Sequence, residues 1–193
     1  MQNQARLKVF IQDFTRLVDK VGGDEQQIFI AGKELLQSLV AHDDWLPAEF
    51  AQSDPERYQQ FLLHCDPLER FSVASFVWGP GQSTPIHDHT VWGMVGVMRG
   101  GEVCEEFNKE DETGQMLATG RHVMQVGDVD LVSPSVGDIH RVSNALADQV
   151  SISIHVYGAN IGAVSRHTYE IGSGTAQTFI SGYSNAVVPN VWG

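Results

Sequence analysis

The side chains with the most chemical reach in this chain of 193 residues fall in three short stretches. Pro85-Ile86-His87-Asp88-His89-Thr90 holds two histidines one residue apart, and Gly137-Asp138-Ile139-His140 adds a third about fifty residues on. Ser153, His155 and Tyr157 then follow at every second position. Successive side chains of a β-strand alternate faces, so His87 and His89 share one side while Ile86 and Asp88 take the other. Two imidazoles on one face, met by a third from a distant strand, make a three-nitrogen site for a divalent transition metal. Such a site keeps an open face, which is a catalytic arrangement, and zinc and iron both tolerate it. Ser153, His155 and Tyr157 share a strand face opposite Val150, Ile152, Ile154 and Val156. In a row they form a hydrogen-bond relay whose phenol end reaches toward a ligand on the metal, provided that their strand lines the same opening as the histidines. On a solvated strand the same row would be incidental.

Positioning these groups is a task for strands, and the periodicity supplies them. Residues 4–21 place apolar side chains at helical spacing up to Gly22-Gly23, and Asp24 caps a second helix that ends near His42-Asp43-Asp44. Trp45-Leu46-Pro47 opens a short helical piece, and the run from Asp54 to Leu63 reads as a capped helical turn leading into a strand. From Phe71 the period changes. Strands are predicted over Phe71–Trp78, Trp92–Met98, Glu102–Phe107, His122–Val126, Asp130–Ser133, Ile139–Ser143 and Val150–Tyr157, with a polar hairpin at Lys109–Gly114. Many short strands with Gly-rich turns indicate an all-β barrel or sandwich with the N-terminal helices on one side. One domain is expected, mainly helical over 1–66 and a barrel with its tail over 67–193. The Gly- and Ser-rich tail still carries Phe179, Ile180, Val187, Val188 and Trp192, so it should wrap the barrel.

Composition narrows the partners. A formal charge of −12 argues against nucleic acid and anionic membranes. No apolar run has membrane-spanning length, and the N-terminus lacks a hydrophobic signal segment. Cys65 and Cys104 have no CxxC spacing and read as buried, reduced thiols of a cytoplasmic protein. Arg141, next to a candidate ligand, should face away from the metal in a structural role. His42, His64, His122 and His167 lie outside any motif, and Trp78 and Trp92 read as packing.

Glycines frame the histidines: Gly81 before His87, Gly100 after the apolar run, and Gly127, Pro134, Gly137 and Asn144 around His140. This pattern resembles the two signature motifs of the cupin superfamily, which implies a cupin-type β-barrel (jelly roll) carrying a metal in its mouth. The glutamate that usually follows the HxH is missing, with Gly93 in its region, and the second motif has one extra residue before Pro134. Without that carboxylate the metal keeps a higher net charge and favours an anionic ligand, of which a thiolate suits ferrous iron.

His87-x-His89, His140 and Ser153-x-His155-x-Tyr157 together resemble the thiol dioxygenases, the cysteine dioxygenase family of cupins, over about Tyr58 to Arg166. The resemblance implies Fe(II) on His87, His89 and His140, and a small thiol and O2 as co-substrates that give a sulfinate. Tyr157 would orient the bound ligands, held by His155 and Ser153. Mammalian-type members have an arginine two residues after a tyrosine. Here Tyr58 is followed by Gln59-Gln60, which resembles the bacterial glutamine-type subgroup acting on 3-mercaptopropionate, with Arg166 at the position that meets the carboxylate. Gly93 stands where those enzymes have a cross-linking cysteine, so Tyr157 should be unmodified. The alternatives are a cysteine dioxygenase, a cupin isomerase or hydrolase using another divalent metal, and a non-catalytic sensor. Oligomeric state cannot be read from the sequence.

Overall fold

A computed structural model describes residues 4–110 and 114–192. Leu7, Phe10, Ile11, Phe14 and Val18 bury one face of α1 (Ala5–Val21), which stops at Gly22, a residue in the left-handed region at φ +61°. The Asp24 side chain accepts the Gln27 N–H at 3.1 Å and caps α2 (Glu25–Val40). The helical piece expected after Trp45-Leu46-Pro47 is one 3-10 turn, Ala48–Phe50.

Among the described residues eleven strands follow: β1 (Gln59–Cys65), β2 (Ser72–Trp78), β3 (Ile86–His87), β4 (Gly93–Arg99), β5 (Gly101–Lys109), β6 (Met116–Gln125), β7 (Val129–Val132), β8 (His140–Asn144), β9 (Ser151–Tyr157), β10 (Arg166–Tyr169) and β11 (Ala176–Phe179). They form two antiparallel sheets, β1-β2-β9-β4-β7 and β11-β10-β3-β8-β5-β6. This is the cupin double-stranded β-helix. The helices cover the five-stranded sheet, and Gly32 of α2 approaches β4 so closely that a Cβ there would lie 2.9 Å from Met94 Cε.

The stretch before β1 differs from the sequence expectation. Residues 55–57 are bends within irregular chain, not a helical turn, because the Asp54 carboxylate accepts the Glu56 N–H at 2.8 Å and closes a turn of its own. The chain then enters β1 at Gln59, so the sheet begins inside the stretch assigned to the helical N-terminal part. Residues 111–113 of the expected hairpin lie outside the described residues, while β5 and β6 on either side of it pair as expected.

The tail wraps the barrel. Its strand β10 pairs with β3, and β11 pairs with β10. Beyond them Ser184 and Asn185 bond the open edge of β1: Asn185 accepts the Leu62 N–H at 2.8 Å and donates to the Leu62 carbonyl at 2.9 Å. Those bonds satisfy backbone groups that an edge strand would otherwise expose. Among the described residues no helix is long and apolar enough to cross a membrane.

Candidate metal centre and its cavity

His87 on β3 and His140 on β8 are direct register partners, and His89 follows just past the end of β3. The ring centroids of the three lie 4.8, 4.8 and 4.9 Å apart, close to an equilateral triangle, and all three side chains are buried. Their ligand atoms fall within 4.8 Å of one another. The outer nitrogens are anchored. His87 Nδ1 meets the Pro85 carbonyl at 3.1 Å, and His89 Nδ1 meets the Asp138 carboxylate at 3.0 Å. Both partners only accept, so each Nδ1 carries the proton and each Nε2 keeps its lone pair.

Burial, with the neighbouring imidazoles, drives His87 down to about 3 and holds His140 well below its ordinary value, the neutral form a metal needs. His89 Nε2 is buried with no hydrogen-bond partner. Three converging imidazoles, one with a buried and unpartnered Nε2, fit a divalent transition metal.

The loop after His89 is held by force. Thr90 sits in the left-handed region at φ +61°, which a β-branched residue rarely adopts. Asp138 pins it there, accepting the backbone N–H groups of His89 and Thr90 at 2.9 and 3.0 Å. Burial pushes the Asp138 carboxyl up, but His89 and these N–H groups outweigh it and leave it below the usual range. Between the two ligands Asp88 points the other way, accepting from His167 Nδ1 at 3.0 Å and from the Tyr169 hydroxyl at 2.8 Å. It thereby ties β3 to the tail strand β10, and His167 is part of that clamp.

The facing sheet presents the relay. Every residue of β9 is buried, so Ser153, His155 and Tyr157 line the interior and not a solvated face. Ser153 Oγ lies 2.8 Å from His155 Nε2, and His155 Nδ1 lies 2.8 Å from the Tyr157 hydroxyl. The phenol ring stacks on His89 at 5.4 Å. Burial pushes the phenol pKa well above its ordinary value. A Cβ at Gly93 would meet the Tyr157 ring at 2.7 Å, so glycine makes room for it.

His87, His140, His155 and Tyr157 line a cavity of about 300 Å³ together with Tyr58, Gln60, Arg166 and Ser181. Gln60 and Arg166, assigned to one substrate group from sequence, are joined through Ser181. Arg166 Nη2 donates to its hydroxyl at 2.6 Å, and Gln60 Nε2 lies 3.4 Å from it. The guanidinium stacks over Phe179 and keeps a buried Nε with no partner.

Sequence reasoning missed several residues here. Asp138 carried a signal, since it stands two residues before a ligand. Cys104, whose sulfur lies 3.5 Å from His140 Nδ1, carried none, because β5 and β8 join only in the fold. His122 lies against Asp130 and near Cys104 on the far side of His140. Arg141 faces away from the histidines and pairs with Glu105 at 2.8 Å.

Comparison with known proteins gives these positions a family. Cysteine dioxygenase type 1 of Danio rerio is 30% identical over 129 residues, 65% of this chain and 62% of that protein, so the match spans less than two thirds of that relative. The Rattus norvegicus enzyme of the same name is 25% identical over 153 residues, 76% of this chain and 73% of that protein. A solved structure of a protein with a double-stranded β-helix domain from Klebsiella pneumoniae superposes with a TM-score of 0.45 at 17% identity, covering 63% of this chain and 94% of that one. The model of the family "Cysteine dioxygenase type I" matches residues 7–170, which takes in the three histidines, the relay and Arg166. The chain belongs to the cysteine dioxygenase type I family.

Proposed function

We propose that this protein is a non-haem Fe(II) dioxygenase that converts 3-mercaptopropionate to its sulfinate, placing both atoms of O2 on sulfur. Sulfur supplies all four electrons, so no external reductant enters. Iron on His87, His89 and His140 would supply the open-shell chemistry by which O2 reacts with a closed-shell thiolate.

The protein's own groups set the substrate. At one end of the cavity the Tyr157 hydroxyl, anchored on His155 and through it on Ser153, orients what lies beside the histidines. At the other end Arg166 holds the carboxylate, its position fixed by Ser181 and Phe179, with Gln60 beside it. The buried, partnerless Nε of Arg166 is the observation that carries this reading, because an ordered anion would satisfy it.

No aspartate or glutamate lines the cavity among the described residues, so no carboxylate there pairs with the ammonium group of cysteine. That favours the thiol acid lacking an amine, with cysteine as the slower substrate. A zinc or manganese isomerase or hydrolase would leave the Ser153–His155–Tyr157 row without a purpose. The same reading treats helices, barrel and tail as one domain, and the two cysteines outside any disulfide suit a reducing, cytoplasmic setting.

The test is metal analysis of natively purified protein, followed by aerobic incubation with equimolar 3-mercaptopropionate, cysteine and cysteamine. Iron and a predominant sulfinate of 3-mercaptopropionate are expected. Another metal without oxygen uptake would reject the activity, and cysteine sulfinate as main product would reject the specificity.

A further inference from the structure

A second set of metal-type donors converges away from the three histidines. Cys104 of β5 and His122 of β6 are direct register partners, and Asp130 of β7 comes from the facing sheet. One ligand atom of each falls within 4.8 Å of the other two. Because β6 and β7 are the last strands of their sheets, these donors stand where the two edges meet. The Cys104 thiol is buried, while His122 and Asp130 keep 40% and 29% of their side chains exposed. Cys104 and Asp130 also line a second cavity of about 270 Å³, which shares only His140 with the lining of the first. Glu106 adds another carboxylate to that lining, and no lysine or arginine is among the described residues there.

We propose that Cys104, His122 and Asp130 form a second metal site, which takes zinc(II) and clasps the edges of the two sheets.

The donor set carries the choice of ion. A thiolate, an imidazole and a carboxylate suit zinc in a tetrahedral shell, with the fourth place left to water from the cavity. Thiolate and carboxylate together neutralise a divalent charge, which no basic side chain of the cavity lining does. Zinc–ligand bonds of about 2.0 to 2.3 Å place donor atoms roughly 3 to 4 Å apart around one ion. The widest pair therefore has to close by about 1 Å, a movement that the half-exposed His122 and Asp130 side chains can make by rotation.

The protons balance. His122 Nε2 donates to Asp130 Oδ2 at 2.5 Å, so an ion entering between them takes that nitrogen and the proton moves to Nδ1. Glu106 Oε1 lies 3.8 Å from Nδ1, on the side where a carboxylate commonly holds the free N–H of a ligating histidine. The thiol proton leaves for bulk water as the metal–sulfur bond forms. No oxidant or reductant is involved. A plain ion pair of His122 with Asp130 accounts for those two residues, and not for the thiol that completes the set. The Cys104 sulfur also lies 3.5 Å from His140 Nδ1, so a single imidazole separates the two centres.

The test titrates metal-free full-length protein with cobalt(II) without oxygen, using a phosphine as reductant so that no small thiol is present. The three histidines offer no sulfur, so only the second site can give a near-ultraviolet thiolate-to-cobalt band. The expected result is two cobalt ions per chain, with a band that saturates with one of them and is erased by zinc. His87→Ala should lose the other cobalt and keep the band, and zinc should still raise the Tm of that variant. Asp130→Asn should weaken the band-forming site by at least the 10- to 100-fold that is about typical for losing a partner that merely holds a ligand. One cobalt per chain with no band in the wild-type protein would overturn the proposal, and that outcome needs no variant to fold. A band that survives Cys104→Ser would overturn it as well, and an unmoved Tm would remove the clasp. None of these readouts involves turnover, so the site holds or fails separately from the dioxygenase reading.

Discussion

The two ends of the cavity are built differently. The histidine end lies where β3 and β8 pair directly, and its anchors are backbone carbonyls and one half-buried carboxylate. The Arg166 end, read above as the carboxylate site, is assembled from Gln60 at the start of β1, Arg166 at the start of β10 and Ser181 in the tail, with Gln60 and Ser181 121 positions apart in sequence. A centre held by regular pairing tolerates little change, whereas an end made from an edge strand and a wrapping tail can be rebuilt without disturbing the metal. Reaction type and substrate choice are therefore separable in this molecule.

The largest effect should come from His140→Ala, which removes a metal ligand: iron content should fall below detection and turnover by about a thousandfold or more, read by metal analysis and oxygen uptake. Arg166→Ala should lower kcat/KM for 3-mercaptopropionate by about a hundredfold through KM, with full iron content. Cysteamine, which has no carboxylate, should be little affected. Equal losses for the two thiols would break the division between the ends. Asp138→Asn should weaken metal binding by about 10- to 100-fold, measured by chelator competition, because it loosens both the His89 ring and the strained Thr90 loop. Gln60→Arg should shift the cysteine to 3-mercaptopropionate ratio of kcat/KM by about tenfold toward cysteine. The smallest change is expected from Ser181→Ala, about threefold in KM, since it removes only the bridge between Gln60 and Arg166.

The same contrast explains what could be read before the structure was in hand. His87, His89, Ser153, His155 and Tyr157 are legible because alternation along a strand dictates which side chains share a face. His140 is legible through its glycine frame. Asp54-Pro55-Glu56 imitates a helix cap, and only the side-chain turn at Asp54 shows why no helix follows. Cys104 and Ser181 were invisible because their partners are brought close by sheet pairing or by the tail and not by sequence spacing. The tail residues that cover β1 could be foreseen only as apolar content that had to be buried somewhere.

Turnover of 3-mercaptopropionate by the iron-loaded protein under isotopically heavy O2 in ordinary water, with mass analysis of the product, tests the proposed reaction most directly. One O2 consumed per sulfinate, with both oxygens on sulfur heavy, is the expected result. A product carrying one heavy atom or none, or oxygen uptake that yields peroxide or disulfide in place of sulfinate, would contradict it.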